Sequence, residues 1–512
     1  MDAFRVVPFS PAALSEIVTE KSFGASPSVG RKKNVEYLGS YLSKVETKTI
    51  VVEHTYIDKD YLEDFAAYYV RCFADYPKTC TRLHFFSEEF SESEFRSALE
   101  HAADHPVENA NYLGFIVLKP LPDTVIGRTC LRPWKDTADR KRVFPIVCDV
   151  PVNLFGINLS VRSLPFQEQD TDVAACATSA LWSALHGTGR LFQHQIPSPV
   201  EITKAASAHS RVDDRSFPNR NGLNAFQIAD AIRSVGLEPL AIRGSDTTMV
   251  RLAAAAYLRA GIPCILLSRL HDAASNVEIG RHAVAVNGYS LGNLKPKSWT
   301  KNATVFRAAT IDRLYCHDDQ IGPYAALEFD ANGSISAGFD KASKVEILPE
   351  NLIVPLYHKI RIPVSTIIEK VAALDDTIET LRAARLLPLE RRLIWDVYLN
   401  DIARLRTRLF QSEELPTALR ISKLEKSYPR YVWVAIARIG EEMQFMLLFD
   451  ATDLLQAEQF IDCIPFDAGL CSALAVVSGN PEIRSINRVF AWFEAHSNEL
   501  VATPAASADG DK

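Results

Sequence analysis

Residues 280–289 read Gly-Arg-His-Ala-Val-Ala-Val-Asn-Gly-Tyr, and this alternation restricts the fold more than any other stretch. Successive side chains of a strand point to opposite faces, so His282, Val284 and Val286 share one face and Ala283 and Ala285 the other. Two alanines make a thin face, as required where a helix packs at close range. Upstream, residues 257–267 with Gly261-Ile262-Pro263 predict a helix, a turn and a strand leading into this one.

The rest of the chain sets broad limits. At roughly 100–200 residues per domain, 512 residues predict two to four domains, each able to bury its own core. The formal net charge of −7 argues against nucleic-acid binding by broad phosphate neutralisation. Met1-Asp2-Ala3-Phe4-Arg5 does not open a signal peptide, and the longest apolar stretch, near 252–267, is broken by Arg259, Gly261 and Pro263. A cytoplasmic protein without membrane or nucleic-acid partners is expected. Nine scattered cysteines contain no C-x-x-C pair and no zinc-ligand spacing with histidine, so neither a disulfide framework, a metal site nor a cofactor is expected.

Three domains are predicted: residues 1–158 and 346–502 as mixed α/β domains on either side of residues 159–345, with a disordered tail at 503–512. In the first, periodicity predicts helices over 12–20, 58–73 and 91–101 and strands over 49–53 and 112–118, with 24–33 as a loop. Tyr61, Leu62, Phe65, Tyr69 and Val70 are its helical core candidates. Gly127-Arg128-Thr129 reads as a tight turn with a surface arginine, in preference to an anion site. In the middle segment, 222–235 has a helical pattern and 292–302 reads as an inserted loop. In the last, 358–362 reads as a strand, 366–384 as a helix, 390–408 as a helix with a Leu393, Trp395, Leu399, Ile402 and Leu405 stripe, 431–439 and 442–449 as strands turning at Gly440, and 487–495 as a helix.

The chemistry lies in the middle segment. From Val173 an alanine-rich run predicts a helix, capped by Thr171 or Asp172 and stopped at Gly187, which puts Cys176 in or near the first turn. Free N–H groups and the positive helix end stabilise a thiolate there, while Ala174, Ala175 and Ala177 leave room for a substrate backbone. The bland alternative is a small buried cysteine on an apolar helix face. Gln169, seven residues before Cys176, can complete an oxyanion hole with the Cys176 N–H, or can be an ordinary loop glutamine. His282 can serve as base, or can be a core histidine. Leu314 to Tyr324 forms a strand that ends in Asp318 and Asp319 before a turn. A carboxylate there can accept from the histidine ring and hold its tautomer, and strand parity with Leu314 and Cys316 prefers Asp318. Cys316 and His317 read as structural neighbours.

The order Gln…Cys-Ala-x-x-Ala-Leu-Trp…Gly-x-His-Ala-Val-x-Val-x-Gly-Tyr…strand-Asp resembles the papain-like cysteine peptidases, most closely the bacterial branch that includes the double-glycine leader peptidases. The resemblance covers about a third of the chain. It implies an α+β papain-like core, a helix bearing Cys176 packed on an antiparallel sheet bearing His282 and Asp318. It also implies that Cys176 is nucleophile, His282 base and acid, Asp318 the orienting group and Gln169 the oxyanion donor. The expected activity is hydrolysis of a peptide or isopeptide bond through a thioester, with a protein or peptide as substrate and a regulatory protein as a further partner, as in an intracellular stress or defence protease. A transglutaminase or deamidase would use the same groups, and a non-catalytic binding module would use none of them.

Overall fold

The computed structural model describes residues 2–100, 107–170, 175–208, 222–272, 274–275, 277–292, 304–331, 333–338, 345–454 and 458–497. The expected tail at 503–512, the caps Thr171 and Asp172, Ala174, and nearly all of the loop at 292–302 lie outside the described residues. The chain is α+β, built on antiparallel sheets, and its contacts divide it into two compact units. One holds Met1–Thr247, Gly261–Leu291 and Asp312–Tyr357; the other holds Thr248–Ala260, Gly292–Ile311 and His358–Lys512. The segments expected as a first and a middle domain therefore share one unit, apart from Thr248–Ala260 and Gly292–Ile311. Among the described residues no helix is long and apolar enough to cross a membrane.

The first unit begins with a five-stranded antiparallel sheet in chain order: Phe4–Pro8, Thr49–Tyr56, Cys80–Phe86, Tyr112–Leu118 and Ile126–Leu131. Every residue of its third and fourth strands is buried, so both faces are covered. Helices Pro11–Lys21 and Glu92–Glu100 match expectation closely, but the region read as a loop leads directly into another helix, Lys33–Lys44. The helix expected over 58–73 ends at Ala67. Tyr61 and Tyr69 are core residues, whereas Leu62 is 39% exposed beside Tyr61 on the helix, and Val70 is 57% exposed because the change to a 3-10 turn at Tyr69–Arg71 rotates it off the helical stripe.

A second sheet follows in the same unit, ordered Cys264–Asp272, Val277–Leu291, Ile311–Asp318, Gly322–Phe329, Ile335–Ala337, Val345–Tyr357 and Leu237–Arg243. Val345–Tyr357 also pairs antiparallel with Cys264–Asp272, which closes the first six of these strands into a ring. Helix Cys176–Phe192 covers one face. Its Ala177, Ala180, Leu181, Ala184 and Leu185 recur at helical spacing and share an apolar cluster with Ala283 and Ala285, so the thin strand face is closed by a thin helix face.

The second unit has a five-stranded sheet ordered Val305–Phe306, Ile394–Asp401, Tyr431–Ile439, Glu442–Asp450 and Phe460–Pro465, parallel only at its first pair. The hairpin at Gly440, with φ +63, and the helices Val364–Ala383 and Arg488–Ala495 match expectation. Two expectations fail. Residues 390–408 form not one helix but the strand Ile394–Asp401 followed by the helix Ile402–Phe410. Residues 358–362 are not a strand: strand Val345–Tyr357 ends before them, and the N–H groups of Arg361 and Ile362 both donate to Ala451 O.

Candidate active site

Helix Cys176–Phe192 starts at the cysteine, with Ala175 in extended geometry as its cap. The Thr178 hydroxyl accepts from the Ala175 N–H at 3.3 Å, so the start of the helix is held from within. At the first helical position the Cys176 N–H has no intrahelical acceptor, the geometry in which a backbone N–H can bind an anion. The predicted stop at Gly187 is wrong. The helix runs five residues further and ends at Gln193 in the left-handed region, φ 58. Gly187 serves packing instead: a Cβ there would stand 3.1 Å from Pro263 Cγ, so the missing side chain lets the helix approach the Gly261-Ile262-Pro263 turn.

His282 lies within strand Val277–Leu291, opposite Ser268 of the neighbouring strand. Its Nε2 is 3.0 Å from Asp318 Oδ1 and 3.9 Å from Asp319 Oδ1. Two successive strand residues would normally face opposite ways. Here the strand ends at Asp318 and Asp319 opens the turn, so the alternation stops between them and both carboxylates approach one ring. The turn is fixed from outside by the unexpected helix Lys33–Lys44. Tyr37 donates to Pro323 O at 2.8 Å, and its ring occupies the place of a Gly322 side chain, 2.4 Å from where a Cβ would stand.

Burial opposes charge on His282, but Asp318 outweighs it through Coulomb attraction and its hydrogen bond, with the Cys176 thiol and Asp319 adding to it; the ring is held well above its ordinary value. Burial likewise opposes ionisation of Asp318, yet His282 and the Gln320 N–H at 3.0 Å bring that carboxyl below its usual range. Asp319 differs. Burial first, and then the Asp318 charge, push it up to about 7 despite His282. Neither of its buried oxygens receives a hydrogen bond from a neighbour. With Nε2 committed to Asp318, Nδ1 is the nitrogen left for the thiol; it is buried and has no well-directed hydrogen bond, so Cys176 stands within interaction range without an aligned S–H···N bond.

The segment before the cysteine is tied to the edge of the first sheet. Thr129 and Phe166 exchange backbone hydrogen bonds of 2.7 and 2.9 Å, the Glu168 N–H donates to Ile126 O at 3.0 Å, and Glu168 Oε2 accepts from the Ile126 N–H at 3.1 Å. Asp170 accepts from the Tyr69 hydroxyl at 2.5 Å and faces Lys119 at 3.8 Å. Gly127-Arg128-Thr129 is thus strand, not a turn with a surface arginine. Arg128 pairs with Asp60 at 2.5 Å and Asp58 at 3.6 Å, and its guanidinium lies 5.7 Å from the centre of the buried Trp182 ring on the cysteine helix. Gln169 is half-buried, on the wall of a cavity of about 280 Å³ that it shares with Asp319, Gln320 and Lys32. The structure thus brings Cys176, His282 and Asp318 together and groups Gln169 with Asp319. Sequence reasoning placed Asp319 second; its signal was adjacency to Asp318 before a turn.

Cys316 is fully buried, donates to Ala325 O at 3.4 Å, and is pushed well up by burial and by both aspartates, so it is an unreactive structural thiol. His317 is a core histidine, set between the rings of Phe166 and Tyr324. The chain matches no protein-family model, and no match was found among curated proteins.

Proposed function

We propose that the protein is a thiol hydrolase of papain-like type that cleaves a peptide or isopeptide bond through a thioester on Cys176. The observation that carries this reading is the line from Cys176 to His282 to Asp318: a helix-start thiol beside a largely enclosed imidazole, its side chain 10% exposed, whose far nitrogen is held by a carboxylate. In the proposed reaction His282 Nδ1 takes the thiol proton. The thiolate attacks the acyl carbon, and the ring returns the proton to the leaving amine. Water, deprotonated by the same ring, then releases the acid. Asp318 holds the proton on Nε2 and stabilises the imidazolium. The Cys176 N–H, with Gln169 as side-chain partner, receives the oxyanion.

The decisive experiment is alkylation of the purified chain with iodoacetamide across pH, mapped by mass spectrometry, for wild type and His282→Ala. The reading predicts that Cys176 outpaces the other eight cysteines near neutral pH and loses that lead without His282. Equal rates at all nine, unaffected by the substitution, would leave a non-catalytic binding module as the better description. Incubation with peptide mixtures and trapping of the thioester then separates hydrolysis from transfer to an amine or deamidation of glutamine.

A further inference from the structure

We propose that His282, Asp318 and Asp319 form a binding site for a divalent transition cation, zinc by its donor set, and that occupancy switches off the thiol chemistry of Cys176. The switching rests on the acyl-transfer reading above; the site itself does not. One ligand atom from each of the three residues lies within 4.8 Å of the others. Bonds of about 2.0–2.1 Å around a tetrahedral zinc place neighbouring ligand atoms roughly 3.3 Å apart. The observed separations from His282 Nε2, 3.0 Å to Asp318 and 3.9 Å to Asp319, bracket that spacing.

Asp319 supplies an independent reason. Its side chain is only 2% exposed, and neither oxygen has a hydrogen-bond donor, although it points at an imidazole already engaged by Asp318. A buried carboxylate that receives no hydrogen bond and shares its nearest imidazole with a second carboxylate is costly, and a cation is the ligand that compensates it. One imidazole nitrogen with carboxylate oxygens suits zinc better than magnesium or calcium, which prefer all-oxygen shells. Of the three residues, Asp319 alone lines the cavity of about 280 Å³, so an ion would approach from its side.

Zinc on Nε2 takes the place of that proton: the Nε2 proton leaves to solvent while Nδ1 takes one from solvent, so the ring stays neutral as its Nδ1–H tautomer and Cys176 stays a thiol. The ring can then no longer accept the Cys176 proton, so the thiol loses its base while the metal is bound.

The test is calorimetric titration of the chelator-stripped full-length protein with zinc chloride, for wild type, Cys176→Ser, Asp319→Asn and Asp319→Ser. One zinc per chain is expected for wild type and Cys176→Ser, with affinity reduced at least about tenfold in both Asp319 variants. Thermal melts in chelator check that these variants are folded. Cobalt(II) in the site should show d–d absorption without a thiolate charge-transfer band. Zinc should slow iodoacetamide alkylation of Cys176 in the wild type, and the ratio of rates without and with zinc should fall to near one in Asp319→Asn. Absence of stoichiometric binding, binding that survives loss of Asp319, or binding lost in Cys176→Ser overturns the proposal. An unreactive Cys176 in metal-free protein sinks the acyl-transfer reading instead, and the calorimetry still decides the site.

Discussion

Asp318 and Asp319 are chemically identical neighbours in sequence with opposite electrostatic fates, and their difference predicts opposite mutational signs. Asp318 is held below its usual range by His282, so it contributes stability above the unfolded carboxylate pKa of about 3.9 that is lost as pH falls through its lower folded value. Asp318→Asn should flatten the acid limb of a urea-denaturation series and slow Cys176 alkylation. Asp319, pushed up to about 7, behaves the other way: its contribution is fully present below about pH 4 and is lost as pH rises through 7. Asp319→Asn should therefore stabilise metal-free protein, by about 1–3 kcal/mol at pH 8 and less at pH 5, as read from urea midpoints in chelator. A variant less stable than wild type at pH 8 would mean that the carboxylate has a partner after all. Strand parity preferred Asp318, and the shorter distance is indeed to Asp318. The change from strand to turn at Asp319 lets it approach the same ring.

At the scale of elements, long helices with clear caps were legible, and short apolar runs were not. Residues 390–408 carry leucines at helical spacing, but Ile394, Trp395, Val397 and Tyr398 are strand formers, and a run this short suits either structure. Pairing with Tyr431–Ile439 and the Trp395 hydrogen bond to Asp375 at 2.7 Å decide for a strand. Asp401 then caps the following helix, accepting from the Ala403 N–H at 2.8 Å. Asp401→Ala should cost about 1 kcal/mol in chemical denaturation. Gly322 is a stricter requirement. With φ +153 and the Tyr37 ring in the space of its side chain, Gly322→Ala must displace the aspartate turn or the helix Lys33–Lys44. The expected loss is about 1–3 kcal/mol, with slower alkylation of Cys176; an unchanged rate would show that the turn absorbs the shift without moving Asp318.

Over the whole molecule, the first sheet acts as a mount for the segment that enters the cysteine helix. Arg128 joins Asp58, Asp60 and Trp182 across three chain segments. Arg128→Ala leaves two buried aspartates without their cation and should cost about 3 kcal/mol, measured by thermal melting, with a loss of Cys176 reactivity that follows from loosening the 166–170 segment. The two compact units also interleave along the chain, exchanging at Thr247, Ala260, Leu291, Ile311 and Tyr357. A fragment of residues 159–345 would contain Thr248–Ala260 without most of its unit and would cut away most of strand Val345–Tyr357. It should fail to melt cooperatively; a sharp transition would show the middle segment to be autonomous.

The sequence by itself determined the thin alanine face of the histidine strand, the helix that carries Cys176, and the candidacy of His282 and Asp318. These follow from periodicity and side-chain size, which are local properties. Tertiary structure alone decided that Gly187 packs instead of stopping a helix, that 394–401 is a strand, that Arg128 sits in an edge strand, and that Asp319 shares the histidine with Asp318. Each of those outcomes depends on what a distant segment places next to the residue, and such contacts have no fixed spacing along a chain.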